Sequence, residues 1–233
     1  MKLYVYCIAG QIDAAAAPIT GIAGAKVDIV KLEGFSLLVS ELEDEQAPVT
    51  RENALAHDSV IRSVLGQTTP LPFRFGTLAT ENELANYLGA RRSTIESRLK
   101  FVSGCLEMSV KIISDTDRTH SDAQNTDLGP GAMFLEKKRR EILGSKYAKE
   151  VSDWLQKEVG ELAREVQVSL CPTEKLIVAA AHLVPREQLA AYRDRVGNAR
   201  KLRPELHFLV SGPWPPYSFS NIDLEFKTRF GVS

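Results

Sequence analysis

"KVDIVKLEGFSLLVSEL", residues 26–42, is the stretch whose reading decides the fold. Two runs rich in valine, isoleucine, leucine and phenylalanine flank Glu33-Gly34. β-Branched and aromatic side chains suit the pleated surface of a sheet. A two-residue connection ending in glycine closes a hairpin, because glycine takes a positive φ without a Cβ clash. The stretch therefore predicts two antiparallel strands and a tight turn. Upstream, "LYVYCIA" (3–9) is a third β-rich run. Between them, "GQIDAAAAPITGIAG" (10–24) is small and alanine-rich, suited to a weak helix or a loop.

Downstream, "TRENALAHDSVIRSVLGQ" (50–67) lines up Ala54, His57, Val60, Ile61, Val64 and Leu65 as the apolar stripe of a helix, with Gly66 as its stop. "TPLPFRFGTLA" (69–79) reads as a strand, with Phe73 and Phe75 on one face and Arg74 on the other. Thr80 with Glu83 forms a capping box, which predicts a helix over 80–102. The order β, weak α, β, β, α, β before that last helix is the split βαββαβ of a ferredoxin-like sheet.

The second half shows the same order. "GCLEMSVKIIS" (104–114) alternates Leu106, Met108, Val110 and Ile112 with Glu107, Ser109 and Lys111, the period of a half-buried strand. "DTDRTHSDAQNTDLGPG" (115–131) is a polar loop. From Ala132 to about Gln167 apolar residues recur at three and four, which predicts a long helix, either continuous or broken near Gly144-Ser145. A hairpin across Pro172, a helix begun by Pro185 and a closing strand over 204–212 complete the pattern. The fold class is α+β: two ferredoxin-like domains, 1–103 and 104–233, the second carrying a long helical insertion and a proline- and aromatic-rich C-terminal tail. The two halves share topology, without visible sequence similarity.

Lys+Arg (29) balances Asp+Glu (30), which argues against a nucleic-acid partner. The apolar runs are too short for a bilayer, so no lipid-membrane partner is expected. The three cysteines, Cys7, Cys105 and Cys171, are widely spaced and form no CxxC pair, which points to buried free thiols and not to a disulfide framework or a zinc site.

Candidate chemistry reduces to structural readings. His57 and Asp58 are adjacent on a helix, so they face different directions and make no catalytic pair. His120, His182 and His207 are scattered without metal-ligand spacing. "GPGAMF" (129–134) lacks a phosphate-loop pattern, and "EKKRRE" (136–141) reads as a solvated helix face. No catalytic residue, metal or cofactor is expected. Arg74 is the one polar side chain of its block able to meet a partner carboxylate, although packing on a neighbouring aromatic is the stronger reading.

Four segments together resemble one family. "LYVYCIAG", "HDSVIRSVLGQTTPLPFRFGTL", "GPGAMFLEKKRR" and "SGPWPPYSF" are similar in order and spacing to the signature blocks of the gas vesicle proteins GvpF and GvpL. Met133-Phe134 stands where that family often has tyrosine and leucine. The resemblance implies a minor, non-enzymatic gas vesicle protein that binds the hydrophobic shell protein or accessory gas vesicle proteins during nucleation or growth of the wall. It implies location at the gas vesicle, after a soluble cytoplasmic stage. A small-molecule or nucleotide-binding regulator is the alternative.

The proline-rich stretch itself, Trp214, Pro215, Pro216, Tyr217 and Phe219, is expected to be a stiff spacer that pins the C-terminal segment on a second surface, at an interdomain or partner-binding site. Ile222, Leu224, Phe226 and Phe230 beyond it predict an amphipathic strand. Trp214→Ala is expected to cost roughly 3 kcal/mol on the reading that the ring is buried.

Overall fold

The computed structural model describes residues 2–10, 12, 20–42, 48–113, 130–170, 176–220 and 222, and the backbone alone for 130–137 and 139–143. The chain folds as two compact units. One runs to Leu106 and takes in the described residues from Trp214 on, and the other is Glu107–Pro213. The C-terminal block thus groups with the first unit, not with the second half that precedes it, because Trp214 and Tyr217 contact a helix of the first unit.

The first unit contains β1 (Lys2–Ala9), β2 (Asp28–Leu32), β3 (Phe35–Leu42), α1 (Arg51–Leu65), β4 (Leu71–Pro72), β5 (Leu78–Ala79), α2 (Glu81–Ala90) and α3 (Arg92–Val102). Its antiparallel sheet has the order β2-β3-β1-β4, with β5 also paired to β1. The predicted hairpin is present: Leu32 faces Phe35, and Glu33 (φ 51°) and Gly34 (φ 84°) both take positive φ in the turn. The β1–β3 register shifts between Val5 and Cys7, so Tyr6 has no partner of its own. Such a bulge turns two successive residues to one side. Tyr4, Tyr6 and Cys7 all join the core cluster with Val60, Ile61 and Val64 of α1.

The second unit holds β6 (Cys105–Ile113), α4 (Pro130–Val159), β7 (Glu165–Leu170), β8 (Leu176–Pro185), α5 (Leu189–Leu202) and β9 (His207–Trp214), in the sheet order β7-β8-β6-β9. In both sheets the hairpin lies beside the first strand and the last strand lies on its other side. Ala148, Val151, Leu155 and Val159 of α4 pack with Val110, Ile112, Val178 and Tyr192 in one core.

Several local expectations change. Strand 69–79 is only two short pairings, since Phe73–Thr77 leaves the sheet to form a loop in which Thr77 N–H reaches the Arg74 carbonyl at 3.2 Å. Helix 80–102 breaks at Arg91 (φ −120°, ψ 16°), although the Thr80/Glu83 capping box is formed as expected. On α1, Asn53 is buried and Ala54 exposed, because Asn53 bonds the Ala23 amide and the Pro48 carbonyl. The long helix runs unbroken through Gly144 but ends at Val159, and Glu165–Gln167 belong to β7, paired with Leu183–Ala181. The closing strand continues through Pro213 to Trp214. That is tolerated because β9 is an edge strand. Residues 22–24 form a 3-10 turn. The expected alanine-rich helix, the polar loop over 115–129 and the amphipathic tail over 223–233 lie outside the described residues.

Candidate functional site

The C-terminal block lies on α1. The α1 helix starts from an N-cap, Thr50, whose hydroxyl accepts from Asn53 N–H, and it carries Asp58 and Arg62 one turn apart. Arg62 Nε donates to Asp58 Oδ2 at 2.5 Å, and the Arg62 guanidinium sits 4.0 Å over the Trp214 ring. The other carboxylate oxygen of Asp58 accepts from the Tyr217 hydroxyl at 2.9 Å. One charged pair therefore fixes an indole and a phenol at once, and a cation over an indole face is attracted by the ring quadrupole. Pro215, Pro216 and Phe219 are buried beneath, and Tyr217 N–H and Phe219 N–H bond back to the Pro215 and Pro216 carbonyls. Loss of water, then the neighbouring Asp58 charge, pushes the Tyr217 phenol up from its ordinary pKa.

One turn before Arg62, the α1 helix sends His57 into the core. Phe73 can offer only its carbonyl oxygen, 3.2 Å from Nε2, so His57 Nε2 carries the proton. Nδ1 then accepts from the Tyr4 hydroxyl at 2.9 Å, whose oxygen accepts from Gly76 N–H at 3.1 Å. Tyr6, Phe75 and Tyr4 pack their rings around the imidazole within 5.7 Å. Burial lowers the His57 pKa to about 4 and raises that of Tyr4. Tyr6 heads a parallel chain. Ile22 N–H donates to its hydroxyl oxygen (3.0 Å), which donates to Ser40 Oγ (2.9 Å), which donates to the Lys26 carbonyl (2.7 Å). An imidazole with both nitrogens committed has no lone pair left to draw a proton from a substrate.

The second unit buries His182 against Tyr192. The Tyr192 hydroxyl lies 3.0 Å from Nδ1, and Gln156 approaches Nε2 at 3.4 Å. Burial lowers the pKa of His182 to about 4 as well. Cys7 and Cys105 are buried free thiols, and burial raises the Cys7 pKa.

The structure brings Trp214, Pro215, Pro216, Tyr217 and Phe219 together on the first unit. Arg74 is exposed on the Phe73–Thr77 loop, not on a sheet face, and its carbonyl accepts from Thr77. Sequence reasoning weighed Asp58 only beside His57 and missed that Asp58 and Arg62 together hold Tyr217 and Trp214. The i,i+4 spacing of Asp58 and Arg62 is an ordinary surface pairing, and only the C-terminal block gives it a further purpose. His57 and Asp58 do point into different surroundings. Among the described residues no group of three or more His, Cys, Asp and Glu could hold a metal, and no helix is long and apolar enough to cross a membrane.

Among the described residues, two antiparallel sheets with five helices, and polar groups spent on internal ties, define a mixed α/β protein. The chain belongs to the family described as gas vesicle synthesis protein GvpL/GvpF, whose model matches residues 2–221. It is 26% identical to gas vesicle protein F1 of Halobacterium salinarum, over 99% of this chain and 98% of that one. It is 27% identical to gas vesicle protein L of a Streptomyces species, over 72% and 69%. The crystal structure of GvpF from Anabaena sp. PCC7120 is similar with a TM-score of 0.81 at 25% identity, covering 94% of this chain and 95% of that one.

Proposed function

We propose that this chain takes part in gas vesicle formation as a non-catalytic assembly protein. The observation that carries the reading is the family match across residues 2–221, supported by the likeness to gas vesicle protein F of other organisms over nearly the whole chain. Its partners on this reading are the hydrophobic shell protein and accessory gas vesicle proteins, and it acts at the vesicle during nucleation or growth of the wall. A shell subunit with a water-repelling face has to be held apart from its neighbours until it is added in register, and exposed sheet edges suit that task. Each unit is read as a separately folded ferredoxin-like domain, with the chain passing from the first to the second after Leu106 and the C-terminal block returning to the first. The strand orders β2-β3-β1-β4 and β7-β8-β6-β9 support that reading.

Pro215, Pro216 and Phe219 are buried, so their part is to hold the C-terminal block, leaving the exposed Arg74 and Tyr217 and the half-buried Trp214 as the residues of the predicted set able to meet a partner. The long helix α4 is proposed to carry partner contacts, since 30 residues make a helix of about 45 Å, longer than the strands beneath it. Deleting the gene from a vesicle-forming host is expected to abolish vesicles under the electron microscope, with recovery on complementation. Normal vesicles in its absence would refute the role. Cross-linking to the shell protein, with and without collapse of intact vesicles, tests the partner.

A further inference from the structure

Phe73–Thr77 is a loop between two strands of two residues each, so the sheet itself holds it weakly. Its ends are tied to β1 by single backbone bonds, Phe73 N–H to the Tyr6 carbonyl (2.9 Å) and Val5 N–H to the Thr77 carbonyl (3.0 Å), and the other anchors are side-chain bonds. Phe73 is buried and its carbonyl accepts from His57 Nε2, while Gly76 N–H is taken by the Tyr4 hydroxyl, which in turn depends on His57 Nδ1 as acceptor. One imidazole therefore supports the loop on both sides of Arg74, at the Phe73 carbonyl and, through Tyr4, at Gly76 N–H. The directions of these bonds are compatible only with the neutral ring. A proton on Nδ1 would confront the Tyr4 O–H with a second donor, and the Tyr4 hydrogen would lose its acceptor in a buried site. A buried donor without a partner is costly.

We propose that His57 is a proton-sensitive pin, which holds the Arg74–Gly76 tip of the loop Phe73–Thr77 against β1 and α1 while neutral and releases it when protonated.

The charges around the ring sharpen this. From β1 it faces the two tyrosines Tyr4 and Tyr6, and from the loop the apolar Phe75. On its own helix the titratable neighbour is Asp58, whose carboxylate is already paired with Arg62 at 2.5 Å. No carboxylate contacts the ring among the hydrogen bonds of the described residues, so a buried imidazolium would lack a partner charge. The pKa of about 4 in the pinned state against the ordinary 6.5 gives the direction. The released loop binds the proton more tightly, so acid favours release by up to about tenfold per pH unit between those values.

Amide hydrogen exchange on the full chain tests this, with rates corrected for the intrinsic pH dependence. Protection of Gly76 N–H is expected to fall at least about tenfold between about pH 7 and about pH 4.5, and any acid loss across β8, which carries His182, is expected to be the same in His57→Gln as in the wild type. In His57→Gln the Gly76 protection is expected to be independent of pH. Unchanged Gly76 protection in the wild type or an equal fall in the variant would each overturn the pin. Nitrogen-15 spectra of the wild-type imidazoles give a second reading that needs no variant. The Nε2–H tautomer of His57 at neutral pH is expected, and the Nδ1–H tautomer would overturn it.

Discussion

His57 in the first unit and His182 in the second are both buried against a tyrosine hydroxyl, at 2.9 and 3.0 Å, and burial lowers both pKa values to about 4. Their settings differ. His57 comes from a helix and ties a strand tyrosine to a loop, so its bonds fix backbone that has little sheet pairing of its own. His182 comes from the middle of β8 and meets a tyrosine of α5, between elements already held by a β7–β8 ladder and by a large aliphatic cluster. The same chemical pair is thus a positioning device in one unit and an addition to existing packing in the other. Polar wiring appears where regular pairing runs out, because buried backbone groups need partners from somewhere.

That contrast can be broken unit by unit. The two tryptophans serve as separate reporters, Trp214 grouping with the first unit and Trp154 with the second. The largest effect is expected from Leu155→Ala, which opens a cavity in the aliphatic cluster of the second unit and costs about 3–4 kcal/mol in denaturant unfolding followed at Trp154. A Trp214 signal that moved equally would mean that the units unfold as one.

Acid comes next. A histidine whose folded pKa is depressed contributes stability that is fully present above its ordinary value. That stability is lost as pH falls, because the unfolded chain then binds the proton more readily. With folded values of about 4 against 6.5, each histidine accounts for a loss of up to about 3 kcal/mol as pH drops through that window. His182→Gln is expected to remove the acid dependence at Trp154 alone. A dependence that survives unchanged there would dissociate His182 from it.

Gly21→Ala sharpens the role of the tyrosine chain. A Cβ at Gly21 would lie 1.9 Å from the Tyr6 hydroxyl, which is locked between the Ile22 amide and Ser40. About 2–3 kcal/mol is expected from the enforced shift, confined to the first unit. Wild-type stability of this variant would show that the Tyr6 chain is dispensable.

Trp214→Ala is expected to cost about 1–2 kcal/mol, less than the sequence suggested, because the ring is only half-buried and much of its hold is the Arg62 stack. Arg62→Lys, which keeps the charge without the planar guanidinium, should give part of that loss. A loss as large as that of Leu155→Ala would place the indole in the core. The smallest effect belongs to Lys149→Ala on α4. It breaks an exposed i,i+4 pair with Asp153 and is expected to change stability by about 0.3 kcal/mol, a shift that thermal unfolding should barely register.

The amino-acid sequence by itself determined the features set by near neighbours. Glu33-Gly34 imposes its turn, Thr80 and Glu83 cap their helix, and the alternation over Met108–Ile112 places the second half of β6 half in the core, although Glu107 before it is buried. The signature blocks carried the family. Tertiary structure decided what depends on residues far apart in the chain. Tyr217 meets Asp58 across 159 positions and Tyr4 meets His57 across 53, so neither partner leaves a mark in the sequence around the other. The same holds for Glu165–Gln167. Their apolar spacing fits the end of a helix, yet the ladder with β8 draws them into a strand, since pairing with an existing sheet edge satisfies backbone groups that local propensity alone cannot place.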